Sequence, residues 1–320
     1  ACINIVERLS KVSELKNIGF TVDKEYGEIF QKCNQFLMEY NGSSIPTDME
    51  QNEIKYELPI FFIGDTINKK SGGVESGFKL FPIGEGSYAQ VFKYFDDFYD
   101  KYFVVKRART DLDAKELERF YKEYEVMKSI NSPYVLEVYR LDKNKNEYFM
   151  EFADFSLYDF ILKNNQKLNF MIRRKLCLQI IRAFEVFDRI GVLHRDISPK
   201  NVLLKKYQDE VVVKIADFGL VKTVDSQLTS LETEVRGYFN DVSSLSTEGF
   251  KNYNKQYEYY ALSKLIYFVL TGRYKNMNKF DFPKLKEFME KGLNSNHNLR
   301  YKAIEELRAA FLEIQEEWKF

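Results

Sequence analysis

Three polar side chains lie close together in the chain, on either side of a short β-branched segment. Asp196 and Asn201 belong to residues 194–201, which read HRDISPKN, and Asp217 opens the triplet DFG. Between them, residues 211–215 read VVVKI and predict a strand that leads towards Asp217. Two carboxylates and one amide are the groups needed to orient a hydroxyl and to hold magnesium against a triphosphate. A fold that uses them together must bring the loop to the end of that strand.

Composition narrows the class of protein. The chain has 320 residues, of which 45% are hydrophobic, enough for one large two-lobed domain or two small ones. Its 48 Lys and Arg residues balance 48 Asp and Glu residues, so no net charge favours nucleic acid or anionic lipid. The odd number and wide spacing of the three cysteines argue against a disulfide framework and a zinc site. No apolar run reaches membrane length, so we expect a soluble, cytoplasmic protein.

Residues 1–77 precede the recognisable motifs and are predicted to form an extension. Apolar residues at helical spacing predict one helix that ends near Gly19 and a second that runs from about Thr21 to residues 41–42, forming a helical hairpin. Residues 68–77 are rich in Gly, Ser and Lys and predict an exposed loop. The apolar face of the hairpin could brace the next domain, dimerise or bind a partner, in each case through residues 1–42.

Further motifs precede the HRDISPKN segment at residues 194–201. Residues 83–91 read IGEGSYAQV, residues 104–106 read VVK, and residues 113–130 form a charged helical stretch without Gly or Pro. In this order, the motifs resemble those of the eukaryotic-type (Hanks-type) serine/threonine protein kinase family, in a divergent form. The resemblance implies an α+β, bilobal protein-kinase-like fold at residues 78–315, with a small β-rich N-lobe at 78–151 and a larger helical C-lobe at 154–315.

The resemblance also implies a nucleotide site for ATP. The backbone of the glycine-rich loop would approach the phosphates, Lys106 would contact the α- and β-phosphates, and Glu123 would pair with that lysine, with Glu125 as the alternative. Met150 would lie beside the adenine, whose edge would bond to the backbones of Glu151 and Ala153. The implied nucleotide-binding residues are Gly84, Gly86, Ser87, Val91, Lys106, Glu123, Met150, Glu151, Ala153 and Leu203.

For catalysis, the resemblance implies that Asp196 orients the acceptor hydroxyl, while Asn201 and Asp217 bind Mg²⁺. Lys200 could neutralise the γ-phosphate. In the family, however, lysine usually stands two positions after the aspartate, where this chain has Ser198, so the reach of Lys200 is an open question. The loop also lacks the Arg or Ala pattern typical of tyrosine kinases, which favours serine or threonine as the acceptor.

The segment after Gly219 departs from the family pattern because it contains no Ala-Pro-Glu triplet. Glu248 is the best substitute for the glutamate of that triplet, and we expect it to pair with Arg300, with Glu258 or solvent as competing partners. Glu258 stands where the family usually has an aspartate that braces the catalytic loop, which is residues 194–201 in this chain. Arg195 marks a site that a phosphate on the activation segment could order, and the candidate phosphosites are Thr229, Ser230 and Thr233.

Together these features predict an ATP-dependent protein kinase that transfers the γ-phosphate to serine or threonine hydroxyls of protein substrates, including itself. Two alternatives stay open. The missing Ala-Pro-Glu triplet and the displaced lysine fit a phosphotransferase of the same fold that acts on a small molecule. A pseudokinase or binding module would act through the N-terminal extension, but the intact metal-binding groups at 201 and 217 argue against it.

Overall fold

The computed structural model describes a defined part of the chain, namely residues 20–22, 29, 31–33, 61–63, 67–71, 74–86, 88–220, 238–280 and 283–315. Two compact units are distinguished, one made of Ala1–Ile83 and Phe92–Tyr102 and the other of Gly84–Val91 and Phe103–Phe320. No helix among the described residues is both long enough and apolar enough to cross a lipid bilayer.

Two antiparallel strand pairs precede the kinase motifs. Strand β1 (Phe20–Val22) pairs with β2 (Phe61–Ile63), and β3 (Ile67–Ser71) pairs with β4 (Val74–Phe78). The predicted helix start near Thr21 is therefore wrong, because aromatic and β-branched residues favour a strand there. Residues 29 and 31–33 are helical, and the remainder of the predicted helical hairpin lies outside the described residues.

The prediction of an exposed loop at residues 68–77 is also wrong, because β3 and β4 cover most of it. Composition misled here. In sequence, the two strands are separated by Gly72 and Gly73, and a Gly-Gly pair between two short strands is a hairpin signal. Polar and charged cross-strand partners such as Lys70 and Glu75 are compatible with a strand pair, although their composition resembles that of a loop.

A five-stranded sheet follows, with the order β5-β6-β7-β9-β8. Its strands are β5 (Phe81–Glu85), β6 (Ala89–Asp96), β7 (Lys101–Ala108), β8 (Val138–Asp142) and β9 (Glu147–Glu151). Helix α1 (Ala114–Ser129) lies between β7 and β8 in the chain. It begins with a capping box, in which Asp113 and Glu116 each accept a hydrogen bond from the other's backbone N–H.

The remaining elements are mostly helical. There are six helices in this described part: α2 (Leu157–Asn164), α3 (Phe170–Ile190), α4 (Val242–Glu248), α5 (Lys255–Thr271), α6 (Pro283–Gly292) and α7 (Ile304–Leu312). The same part contains a small sheet of three strands, β10 (Phe155–Ser156), β11 (Val202–Lys206) and β12 (Val211–Ile215). Single 3₁₀ turns occur at Phe250–Asn252 and His297–Leu299. The predicted α+β class, with a sheet-rich N-lobe and a helical C-lobe, is confirmed.

Helix α5 is the centre of this helical part. Most of its residues are buried, including the whole run 265–270, so the helix is covered on all sides rather than on one stripe. The buried Arg173 of α3 connects the C-terminal end of α5 to that of α2. Its guanidinium donates to Val269 O at 2.7 Å and to Asn165 Oδ1 at 2.7 Å. Buried polar groups of this kind are stable only when their hydrogen bonds are satisfied.

The C-terminal end of α5 generates the first prediction. Gly272 has a left-handed φ of 71°, and a Cβ atom there would lie 2.5 Å from Cγ of Asn165, whose amide is already held by Arg173. Gly272→Ala should cost about 1–2 kcal/mol for the backbone and about 1–3 kcal/mol more for the clash, measured as a lower Tm. Gly191, which caps α3 with a φ of 69°, supplies the comparison for the backbone cost. Equal losses in Gly191→Ala and Gly272→Ala would contradict the clash.

Candidate active site

Lys106 and Glu123 form a buried ion pair between β7 and α1. Lys106 Nζ lies 2.8 Å from both carboxylate oxygens of Glu123 and 3.7 Å from Oδ1 of Asp217. Burial disfavours the ammonium, but the negative charge around it, with Glu123 foremost, raises the pKa of Lys106 well above its usual value. Glu125, the alternative partner, is exposed on α1. Lys106 therefore stays charged and is held in one position.

The pairing of β11 with β12 brings the catalytic loop to the DFG triplet. Val202 pairs with Ile215, so the residue before β11 meets the residue after β12, and Ala216 N donates to Asn201 O at 2.9 Å. Asn201 Nδ2 donates to the backbone oxygen of Asp196 at 2.9 Å and to its Oδ2 at 3.1 Å. The loop and the strand end meet as the sequence required.

Asp217 is held in a strained backbone conformation. Its φ is 63°, in the left-handed region, which costs a residue with a side chain about 1–2 kcal/mol. The fully buried Phe218 opposes this cost, with its ring 4.9 Å from that of His194 and 5.4 Å from that of Phe187. Burial of Phe218 thus leaves the neighbouring Asp217 carboxylate half exposed, near Lys106.

The donor set here fits magnesium. Asn201 uses its amide nitrogen in the bonds to Asp196, which leaves Oδ1 available as a ligand, and the carboxylate of Asp217 is accessible. Carboxylate and amide oxygens are the ligands that Mg²⁺ takes in proteins, usually together with water and phosphate oxygens. Asn201 and Asp217 are therefore the residues of this chain that would hold the ion.

Glu258, in the first turn of α5, supports the catalytic loop from below. Its carboxylate accepts hydrogen bonds from the backbone N–H groups of His194 at 2.7 Å and Arg195 at 3.2 Å, and from the Tyr253 hydroxyl at 2.8 Å. The residue is almost completely buried. The longer glutamate thus performs the bracing that the family resemblance implied for an aspartate.

Ser198 stands where the family usually has lysine, and it has a structural task here. Its Oγ accepts hydrogen bonds from the backbone N–H groups of Lys200 at 3.3 Å and Asn201 at 3.4 Å, which closes the turn. The Lys200 side chain is exposed, and its Nζ lies 5.7 Å from the ring centroid of Tyr158 on α2. Its contact in the structure is thus with an aromatic ring.

Among the residues expected to bind the nucleotide, Met150 and Glu151 end β9, whereas Val91 lies in β6 and Leu203 in β11. Met150 and Glu151 are buried, and Ala153, Val91 and Leu203 pack partly buried against the main core. In the glycine-rich loop, the backbone N–H of Gly86 donates to Ala89 O at 2.8 Å, and Gly84 lies near the Val91 side chain. Ser87 lies outside the described residues.

The sequence interpretation missed the Glu151 side chain, which it considered only for its backbone. The buried carboxylate lies 2.8 Å from Lys214 Nζ and 3.5 Å from Lys205 Nζ, and Lys205 also donates to Phe152 O at 2.7 Å. Two lysines from β11 and β12 therefore anchor the segment that joins the lobes. The available signal was Lys214, a charged residue within the otherwise apolar β12.

The predicted pair between Glu248 and Arg300 is wrong. Arg300 is buried and donates to Asp241 Oδ2 at 2.5 Å, whereas Glu248 accepts from the Tyr257 hydroxyl at 2.6 Å. Asp241 is the N-cap of α4 and Glu248 its last residue. The carboxylate at the buried start of α4 therefore meets the arginine, while Glu248 is half exposed at the other end.

Arg195 is nearly buried, and its guanidinium lies 4.1 Å from the ring centroid of Phe250 and donates to Phe250 O at 2.8 Å. Burial lowers its pKa to about 10. The candidate phosphosites Thr229, Ser230 and Thr233 lie outside the described residues, so the expected link between Arg195 and a phosphate stays a prediction.

The Asp241–Arg300 pair generates a pH prediction. Burial alone would raise the Asp241 pKa, but hydrogen bonds led by Arg300 lower it from 3.8 to about 2. A depressed carboxylate pKa stabilises the fold above about pH 4, and this contribution is lost as the pH falls towards 2. Asp241→Asn should therefore lower the free energy of unfolding by about 2 kcal/mol or more at pH 7, with a smaller difference at pH 3.

The measurement is chemical unfolding of both proteins across this pH range. Asp209→Asn serves as the control because Asp209 is exposed in the turn between β11 and β12. A difference between wild type and Asp241→Asn that did not change with pH would exclude the ionised pair as its cause.

Comparison with known proteins identifies the family. Residues 79–306 of this chain match the sequence model of a protein family, which is described as the protein kinase domain. Among curated relatives, NUAK family SNF1-like kinase 1 of Mus musculus is 33% identical over 143 residues, which cover 43% of this chain and 21% of that protein. Serine/threonine-protein kinase RAD53 of Saccharomyces cerevisiae is 28% identical over 203 residues (59% and 24%). Probable serine/threonine-protein kinase PknB of Bifidobacterium longum is 27% identical over 206 residues (60% and 29%).

These matches span only 21% to 29% of the length of the three relatives. The family model itself covers more than half of this chain. The resemblance noted in the motifs is thereby confirmed, and the chain belongs to the protein kinase domain family, among the Hanks-type serine/threonine kinases.

Proposed function

We propose that the chain is an ATP- and Mg²⁺-dependent kinase that transfers the γ-phosphate to serine or threonine hydroxyls of proteins, including its own. The observation that carries this proposal is the convergence of two carboxylates, those of Glu123 and Asp217, within ion-pairing distance of the Lys106 ammonium. A fold without catalytic activity would not need to hold a half-exposed carboxylate in a strained backbone conformation beside a fixed lysine. The pseudokinase reading has no comparable observation in its favour.

Each group has a distinct task in the proposed reaction. Lys106 binds phosphate oxygens and is positioned by Glu123, so little ordering remains to be done when ATP arrives. Asn201 and Asp217 would hold Mg²⁺, which would supply positive charge against the phosphates. Asp196 orients the acceptor hydroxyl and takes its proton, and the bond from Asn201 Nδ2 to Asp196 Oδ2 fixes that carboxylate relative to the metal ligands. Catalysis of this kind depends mainly on positioning and electrostatics.

Two observations support serine and threonine as acceptors. The catalytic loop reads HRDISPKN, without the Arg or Ala pattern of tyrosine kinases, and two of the relatives carry serine/threonine-protein kinase in their names. Self-phosphorylation is proposed at Thr229, Ser230 or Thr233, which follow the DFG triplet in sequence. A phosphate there would carry about two negative charges and could pair with arginine.

The central test is phosphate transfer from labelled ATP with Mg²⁺ to a generic protein acceptor and to the chain itself. Asp196→Ala should lower the rate by about 10²- to 10⁴-fold, because the acceptor hydroxyl loses its base. Asp209→Ala, which removes an exposed carboxylate, should retain full activity. Phosphoamino-acid analysis should give phosphoserine or phosphothreonine. Equal transfer by wild type and Asp196→Ala would refute the enzyme proposal, and phosphotyrosine would refute the acceptor class.

Glu258 allows a second test, because its side chain reaches from α5 to two consecutive backbone N–H groups of the catalytic loop. Glu258→Asp keeps the charge but shortens the side chain by one methylene, so it cannot reach both N–H groups without moving the loop. We expect kcat to fall about tenfold, since one buried donor left without a partner costs about 1–3 kcal/mol, with little change in KM for ATP. Glu305→Asp on α7 is the control. An unchanged kcat would show that the loop adapts to the shorter acid.

A further inference from the structure

A group of tyrosines and lysines borders the catalytic loop and plays no part in the chemistry described above. The start of α2 is attached to the loop, because Tyr158 N donates to Pro199 O at 2.9 Å. The Tyr158 ring stacks on that of Phe268 in α5, with the ring centroids 6.1 Å apart, so Tyr158 is anchored in the core on that side. On another side lies Lys200, with Nζ 5.7 Å from the Tyr158 centroid.

Three further residues extend this group into a surface. The Tyr274 ring is 5.7 Å from that of Tyr158, in an edge-to-face arrangement, and 6.4 Å from that of Tyr238, which is 58% exposed. Lys275 Nζ lies 5.7 Å from the Tyr274 centroid. The hydrogen-bonding interaction of the Tyr158 hydroxyl with Tyr274 is the main reason that the pKa of Tyr158 is raised. We call residues 158, 200, 238, 274 and 275 the tyrosine–lysine surface.

This surface carries positive charge that is not neutralised within the described part of the chain. Neither Lys200 nor Lys275 forms an ion pair there, whereas some other exposed lysines do, such as Lys175 with Glu210. The nearby carboxylate of Asp159 accepts a hydrogen bond from the Ser156 hydroxyl at 2.7 Å, at the N-terminal end of α2. Two exposed ammonium groups on aromatic rings are suited to binding anions, because the rings hold them in place while their charge stays available.

The position of Lys200 determines which anion could use the surface. Lys200 immediately precedes Asn201, which bonds to Asp196, so it lies in the same short loop as the group that orients the acceptor hydroxyl. An extended peptide advances by about 3.3 Å per residue, so side chains within a few residues of the acceptor can reach it. We propose that the tyrosine–lysine surface binds acidic side chains of the acceptor peptide, which makes the chain selective for serines and threonines in acidic segments.

This inference rests on the proposed kinase function and makes it more specific. The chain itself contains an acceptor of the proposed class, because Thr233 stands between Glu232 and Glu234. Self-phosphorylation between two copies would then follow the same rule as phosphorylation of other substrates. It also answers the question about Lys200, whose charge serves the acceptor rather than the γ-phosphate.

The test compares two peptides that differ only in the residues around one serine, which are Asp and Glu in one and Lys in the other. For the wild type, kcat/KM should favour the acidic peptide by roughly tenfold, since each exposed ion pair contributes up to about fivefold. Lys200→Met and Lys275→Met should each reduce this preference, and Lys200→Glu should reverse it. The control Lys284→Met, which removes a lysine paired with Glu287 on α6, should leave the ratio unchanged.

The outcomes are distinguishable. If Lys200→Met lowers kcat/KM for both peptides by the same factor, Lys200 acts on the phosphate and the inference fails. A wild type that prefers the basic peptide also overturns the inference, while the kinase function stands.

Binding of the acidic peptide with alanine at the acceptor position, measured by fluorescence anisotropy, gives a readout without catalysis. Lysine-dependent binding in a chain that transfers no phosphate would support the surface and refute only the proposed kinase function. Binding unaffected by either Met variant would refute the surface.

Discussion

The buried carboxylate of Glu258 is the contact on which the geometry of the candidate active site depends. Arg195 in the catalytic loop and Asp217 in the neighbouring DFG triplet both have a positive φ, and each such residue costs about 1–2 kcal/mol. Glu258 holds the loop through two consecutive backbone N–H groups, and helix α5, buried on all sides, holds Glu258. The strain is thus supported by a helix whose residues are mostly buried. Residues that perform chemistry can then occupy the exposed edge of a rigid support.

The sequence was sufficient for those parts of the site whose groups are coded by short, ordered motifs. Lys106, Asp196, Asn201 and Asp217 each stand in such a motif, and β12 was visible as a β-branched run. The two-lobed α+β fold followed from the order of the motifs. Even Glu123 could be chosen from a charged helix, because its neighbours at helical spacing are apolar.

Partners chosen by tertiary packing could not be predicted in the same way. Arg300 meets Asp241 from 59 positions away, and nothing local distinguishes Asp241 from Glu248 as its partner. The same holds for Glu151, whose two lysines come from strands that lie next to it only after folding. The strands at Phe20–Val22 and Ile67–Ser71 were missed because short strands gain most of their stability from the strand beside them.

The anchoring of Glu151 has a consequence for how the chain can change without losing its site. Strand β12 carries Lys214, which binds Glu151 where the lobes join, and three residues later the chain reaches Asp217. Residues 214–217 therefore set the distance between the two ends of the proposed nucleotide site. Only Ile215 and Ala216 separate Lys214 from Asp217, so an inserted or deleted residue there would displace the Asp217 carboxylate from Lys106. Insertions and deletions should therefore be tolerated in the exposed turn before β12 but not between Lys214 and Asp217. The length of this short segment is thus fixed within an otherwise divergent sequence.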